Sequence, residues 1–547
     1  MFRLSRRRRK VNASLENTRT DISRSLRLLT GMRASGASAR AALAVATLLI
    51  LGPGWIERAD DHYFTPTNRL TAIGVDRENM SQLLLEERTR LMIESQTFAI
   101  LRDPQALTGA QRVTSPRMQK IIDKAADRSG VPGTVISAIA YLESWGDPYA
   151  HSYAGPKGIM QISEATARRM GLRQIYKTRY RVATVRRPIR RRHGKVIYKT
   201  VRVKTPYTVL DRDERFNPER AIPAAAMYLA DMEERYGGLD WAIWAYHCGE
   251  GCINDVRDIV HRSNGLPSNA SVAQVFFGAS PAWNRDLYDQ LQSEMERDYS
   301  PTYWFRIKRA EQLLALYRED PAEFERLRDD YRNEYADNQR APNRLAVWVK
   351  PTDLLYKTCE DIVRDHGTKL FPAMDNPAWY GFSLRRSGAG ALGEFDIADH
   401  RSNYEQATPS ALGTLLTIAF ETRRLHEAMK NRHEQFVPIE VTGLVRPLEY
   451  GTMAGHSFRT GKGRFDALCS GQAFAISSAN LPPGEREALQ FVLNDIGWLG
   501  YLSFVDESSA SGSIVIGCSP TSRDFFTKVY EEAVSHDKDK TLSVSAE

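Results

Sequence analysis

The stretch YLESWGDPYAHSYAGPKGIMQI, Tyr141 to Ile162, decides how this chain is read. It closes an apolar run, PGTVISAIAYLES (132–144), that is hydrophobic nearly all round and therefore predicts a buried central helix. Gly130 suits the end of the preceding helix and Pro132 the first turn of this one. Upstream, Met118, Ile121, Ile122 and Ala125 recur at helical spacing and predict one apolar face. Glu143 thus falls at the C-terminal end of a buried helix, where the helix dipole disfavours a negative charge. Beside Tyr141, Leu142 and Trp145 its carboxylate is expected to be poorly solvated. Desolvation raises a carboxyl pKa, which suits a general acid. The loop HSYAGPKG then turns back toward the acid. Gly155 and Gly158 permit close approach to a ligand, and Gln161 offers an amide suited to sugar hydroxyls. Asp147, followed by Pro148, reads as a loop-capping residue and not as a second acid.

Helical period returns at 217–236 (NPERAIPAAAMYLADMEERY) and 239–251 (LDWAIWAYHCGEG). Four segments in order, ES, SYAGPKGIMQI, FNPERAIPAAAMYL and WAYHCGEG, resemble the signature of soluble lytic transglycosylases with a goose-lysozyme-like fold, over roughly residues 115–265. The spacing of 18 from Glu143 to Gln161 matches that family's E-S…G-L-M-Q-I pattern, and Ser152 falls on its loop serine. The resemblance implies that Glu143 is the catalytic acid and then base. It implies substrate contacts from Ser144, Ser152, Gly158, Met160, Gln161, Tyr246 and His247, with Tyr246 across the cleft from Glu143. The implied reaction cleaves the MurNAc-GlcNAc β-1,4 bond of peptidoglycan glycan strands and leaves 1,6-anhydromuramoyl ends, with no metal and no cofactor. Most glycosidases need two carboxylates; a single Glu suffices if the substrate's N-acetyl group and C6 hydroxyl act as nucleophiles. Two departures from the family pattern stand out. His247 replaces the usual Asn, and Cys248 and Cys252 bracket that loop. A hydrolytic muramidase and a non-catalytic peptidoglycan-binding envelope scaffold are the competing readings.

The net charge of +8 is unevenly spread. Residues 1–40 hold 11 Lys/Arg and 2 acids, and residues 173–209 hold 13 Lys/Arg and no acid. Removing +9 and +13 leaves about −14 for the rest, a mildly acidic body that argues against a nucleic-acid footprint. Within the second block, YKTRYRVATV and VIYKTVRVK alternate β-branched or aromatic residues with basic ones and predict a β-hairpin over 176–207 with a cationic tip. It is an insertion relative to the family's length. Peptidoglycan stem-peptide carboxylates, an anionic lipid surface or an acidic envelope protein all qualify as its partner, and a substrate or partner clamp is expected.

Arg6–Lys10 and Arg40 precede AALAVATLLILGPGWI (41–56), 16 residues without a charge. This predicts a membrane segment at 41–57, with basic residues kept on the cytoplasmic side. An uncleaved anchor is favoured over a cleaved signal; a start at Met32 would give an ordinary signal peptide. Everything beyond is then expected in the bacterial cell envelope, anchored to the inner membrane with the catalytic part in the periplasm, or secreted there. Five cysteines fit an oxidising compartment without demanding one. Cys248 and Cys252 are close enough to pair, and Cys469 with Cys518 is a further possible bridge.

The expected fold is mainly α. A basic N-terminus (1–40) and the membrane segment (41–57) lead into a helical stalk or packing helix (58–114). A lysozyme-like helical catalytic domain (115–270) carries the hairpin insert (173–209). A charged helical region (271–345), a C-terminal α+β domain (346–535) and a polar tail (536–547) follow. Residues 437–468 are weakly similar to zinc D,D-carboxypeptidases. His456 and Asp466 stand ten residues apart where that family has seven, and SIVIGCSP (513–520) lacks its last histidine, so a domain with its zinc ligands lost is expected.

Overall fold

The computed structural model describes residues 64–70, 72–190, 196–263, 265–298, 300–331, 355–388, 390–396, 400–429, 435–453, 467–508 and 513–544. The membrane segment expected at 41–57, and His456 and Asp466, lie outside them. No helix among the described residues is long and apolar enough to cross a membrane.

The body is mostly helical. Its centre is the helix Gly133–Ser144, in which Val135 to Tyr141 are all buried. Gly130, left-handed at φ 78°, ends the helix Pro116–Ser129, whose Ile122 and Ala125 face the core. Around the central helix pack Ala106–Val113, Pro116–Ser129 and Tyr303–Glu319. Each fully buried Ile or Val here stabilises the fold by roughly 1.5–3 kcal/mol. The Tyr141 hydroxyl, sealed in the same core, donates to the Ala106 carbonyl at 3.0 Å. Gly109 lets that helix approach closely, since a Cβ there would lie 3.0 Å from both the Tyr141 and Trp145 rings.

Of the two readings of 58–114, stalk or packing helix, the described part shows packing. Met92, Leu101, Ala106, Ala110 and Val113 have no exposed surface, and the helix Gln82–Leu101 lies on Tyr303–Glu319. Its polar face is used as well: Arg88 donates to the buried Asp495 carboxylate at 2.6 Å, joined there by Arg77. Side chains from 64–113, 131–260, 270–324 and 373–533 form one continuous apolar core.

Among the described residues there are nine strands: β1 (Gln174–Arg190), β2 (Val196–Asp213), β3 (Phe371–Pro372), β4 (Phe382–Leu384), β5 (Gln406–Ala407), β6 (Ile439–Gly443), β7 (Ala473–Ser477), β8 (Leu502–Ser508) and β9 (Ser513–Cys518). The C-terminal sheet runs β4-β6-β7-β9-β8; β4 pairs parallel with β6 and the others are antiparallel. Helices Pro409–Ala428, Pro483–Trp498 and Arg523–Val544 pack together beside it. The last helix runs through the stretch expected as a tail, because no Gly or Pro interrupts 523–544. Cys469 and Cys518 are buried and hold no disulfide, so the second possible bridge does not form.

β1 and β2 form a separate antiparallel ribbon, in register from Tyr176↔Leu210 to Arg190↔Val196, with a bulge after Ile175. Seventeen residues at about 3.4 Å each give it a reach of roughly 55 Å.

Candidate active site

The central helix delivers Glu143 to the wall of a cleft of ≈ 690 Å³. Trp145, left-handed at φ 51°, ends the helix and sets its ring edge-on to Tyr141 at 4.8 Å. The chain then turns, with the Asp147 carboxylate accepting the Tyr149 N–H at 2.9 Å. That is the capping role expected of Asp147.

The loop 150–162 is tied to itself and to the helix. Lys157 and Ile162 exchange backbone hydrogen bonds at 3.2 and 3.1 Å, and Gly158 N–H donates to the Ala150 carbonyl at 2.8 Å. Gly158 sits at φ 77°, where a Cβ would collide with the Arg215 carbonyl, so glycine is required on both counts. Ser144 is buried, and its hydroxyl donates to the Ile159 carbonyl at 2.8 Å. Met160 is fully buried, and its carbonyl accepts the Tyr246 hydroxyl at 2.6 Å. Gln161 is held at φ 44°, uncommon for a residue with a side chain; its amide nitrogen donates to the Gly158 carbonyl at 2.9 Å.

Of the eight residues singled out from the sequence, Glu143, Ser152, Gln161, Tyr246 and His247 line the cleft together. Ser144, Gly158 and Met160 do not. Their polar atoms or their lack of a side chain are used to fold the loop onto the helix end, so they shape the cleft without reaching into it.

One residue at the acid was not anticipated. Tyr303 opens the helix Tyr303–Glu319, directly after the turn Ser300–Thr302. Its hydroxyl donates to Glu143 Oε1 at 2.6 Å. His247 stacks on the Tyr303 ring at 4.3 Å and 9°, with its Nδ1 3.7 Å from the same carboxylate oxygen. Burial, and then the Glu143 carboxylate, push the phenols of Tyr303 and Tyr246 well above their ordinary range. Both therefore remain neutral hydrogen-bond donors. A sequence signal for Tyr303 exists: Tyr303, Ile307, Ala310 and Leu314 recur at helical spacing just after Pro301.

Glu143 is the only carboxylate among the described residues lining the cleft. Glu250 lies just outside, paired with Arg169 and Arg235. Cys248 and Cys252 form a disulfide across Gly249, with Cα atoms 5.9 Å apart. It joins the end of helix Leu239–Cys248 to the start of Glu250–Arg262. Cys248 and Gly249 themselves line the cleft, so the bridge fixes the wall that carries Tyr246 and His247.

Among the described residues, one metal-ligating group stands together elsewhere. The ligand atoms of Cys359, Asp396 and His400 lie within 4.8 Å of one another. Ligand edges around a tetrahedral zinc ion are roughly 3.3–3.8 Å, so this set would have to draw in to hold one.

Comparison with known proteins falls on the same segment. The family model described as the transglycosylase SLT domain matches residues 120–188 and 193–265. A membrane-bound lytic murein transglycosylase F of Desulfosudis oleivorans is 27% identical over 161 residues, 28% of this chain and 26% of that protein. A second protein of that name, from Maricaulis maris, is 27% identical over 154 residues, 27% of this chain and 25% of its own length. The peptidoglycan transglycosylase gp16 of Escherichia phage T7 is 33% identical over 136 residues, 25% of this chain and 8% of its own length. The chain therefore spans about a quarter or less of the length of these relatives.

Proposed function

We propose, from the premise that this chain carries a transglycosylase SLT domain, that it is a peptidoglycan lytic transglycosylase working with Glu143 as its sole acid and base. The observation that carries this reading is the lone carboxylate in the cleft. Glu143 gives its proton to the glycosidic oxygen between MurNAc and GlcNAc as that bond breaks. The positive charge developing at the MurNAc anomeric carbon is met by the sugar's own N-acetyl oxygen. The carboxylate then takes the proton of the MurNAc C6 hydroxyl, and that oxygen attacks the anomeric carbon to close a 1,6-anhydro ring. Atoms balance without water, metal or cofactor.

The other residues have distinct parts. Tyr303 is a positioning residue: its hydroxyl holds one carboxylate oxygen and leaves the group aimed into the cleft. Tyr246, through the Met160 carbonyl, fixes the loop against which the sugar lies. Ser152 and Gln161 are placed to meet substrate groups. His247, stacked on Tyr303, fills the position where the family carries Asn. The site of action is the bacterial cell envelope, where this polymer is found.

Mass spectrometry of muropeptides released from purified sacculi tests the chemistry. Anhydromuramoyl ends are expected. Reducing ends would replace this reading with a hydrolytic muramidase, and absence of release with a peptidoglycan-binding scaffold.

A further inference from the structure

The ribbon β1–β2 has no core of its own. From Ile175 to Pro188 every residue is exposed except Ala183, which is half-buried, and β2 is similarly bare. A two-stranded hairpin is marginal in water unless something covers a face. Its charges keep this one from pairing with other strands, yet 13 cations without an acid between 173 and 209 repel one another. Both features call for an anionic partner.

Register sorts the side chains. Tyr176, Tyr180, Val182, Arg186 and Pro188 share a face with Leu210, Pro206, Lys204, Arg202 and Tyr198. On it Tyr176, Tyr180 and Tyr198 are 52%, 63% and 63% exposed. The face thus presents flat rings interleaved with guanidinium and ammonium groups. A saccharide strand bearing carboxylates matches that pattern: pyranose rings have apolar C–H faces that lie on tyrosine, and Arg takes carboxylates in bidentate fashion. A lipid surface would also take both the cations and the rings; what favours the glycan is where the ribbon is rooted.

The root supplies the direction. Ser163, Thr166 and Met170 line the cleft, and β1 begins at Gln174. On the other strand of the same root Asp213 grips the Arg215 guanidinium at 2.7 and 3.0 Å, and Arg215 donates to the carbonyl of cleft-lining Ile162 at 3.2 Å. The ribbon therefore grows out of the cleft wall.

We propose that the Tyr/Arg face of this ribbon is an extended subsite that holds an acidic glycan strand, peptide-bearing peptidoglycan, as it leaves the cleft. The inference rests on reading the cleft as a glycan cleft. Stem-peptide carboxylates pair with Arg186, Arg202 and Lys204, while sugar rings lie on Tyr176, Tyr180 and Tyr198.

Two variants of the full chain test it. Arg173 and Glu214 are hydrogen-bonded across the root, with the Glu214 N–H on the Arg173 carbonyl at 3.0 Å and the Arg173 N–H on the Glu214 carboxylate at 2.8 Å. Residues 178–208 can thus be replaced by an Asn-Gly turn. The second variant keeps the ribbon and changes Arg186, Arg202 and Lys204 to Gln. Sedimentation with purified sacculi is measured from low to high salt, beside sedimentation with phosphatidylglycerol vesicles and retention on single-stranded DNA. Melting temperature reports the integrity of each variant. The expected result is at least a tenfold weaker hold on sacculi at low salt for both, with a flatter salt dependence. Unaltered sacculus binding in the three-Gln variant overturns the proposal. So does a loss confined to vesicles or DNA, which would assign the ribbon to lipid or nucleic acid. Binding is read without turnover, so a wild-type protein that releases no muropeptides yet holds sacculi through the ribbon would sink the catalytic reading alone.

Discussion

The helix Gly133–Ser144 and the ribbon Gln174–Asp213 are separated by 29 residues and are built on opposite rules. The helix is buried from Val135 to Tyr141 and presents one carboxylate, positioned by groups reaching it from two other helices. The ribbon buries almost nothing and carries its cations in solvent. A single group doing proton chemistry needs neighbours that fix it within a fraction of an ångström. A surface that follows a repeating polymer needs reach and charge, and loses little when one side chain moves.

The contrast can be broken or sharpened by substitution. Glu143→Gln keeps the shape of the site and removes its only carboxylate among the described residues. Lytic release from sacculi should fall by about a thousandfold or more, while sacculus sedimentation persists through the ribbon. Substantial remaining lysis would remove Glu143 from the centre of the account. Tyr303→Phe is the milder lesion. A hydrogen bond to a charged group is worth about 1.5–3 kcal/mol, so kcat should drop roughly 10- to 100-fold. KM for sacculi should change little. A purely structural Tyr303 would lower the melting temperature instead and spare kcat.

The smallest effect belongs to the junction of the two regions. Burial alone would raise the Asp213 carboxyl, but the Arg215 hydrogen bonds and charge outweigh it and hold it below the ordinary carboxylate value of 3.8. A depressed carboxyl stabilises the fold above its unfolded value and loses that contribution as pH falls through its folded value. Limited proteolysis at the ribbon root should therefore be constant from neutrality down to about pH 4 and increase only below it. Asp213→Asn should be nicked at pH 7 as readily as the parent is in acid; equal resistance at pH 7 would show that the pair does not hold the root.

These regions also differ in how much of them the sequence reveals. Glu143 was legible because a buried helix, a breaking residue and a Gly-containing loop are local patterns. The ribbon was legible because alternation has a period of two, and its observed strands extend a few residues beyond the expected 176–207. Tyr303 was missed because its contact with Glu143 spans 160 positions, and because 271–345 reads only as a charged helical region. The same limit left 58–114 open between stalk and packing helix: Arg88 looks like a surface residue until Asp495, 407 positions away, is seen to accept its hydrogen bond. Ser144 and Met160 were placed near the site by their neighbours in the chain, but which way each faces is set by the fold of the loop.

Tyr303 lies 38 residues past the last position matched by the SLT family. A fragment ending at residue 270 would keep every recognisable motif and still lack the hydroxyl on its acid. Transplanting the domain into another chain would carry the same loss in rate unless the host offered a phenol at that spot. The heritable unit of sequence and the unit that works are thus different lengths of this polypeptide.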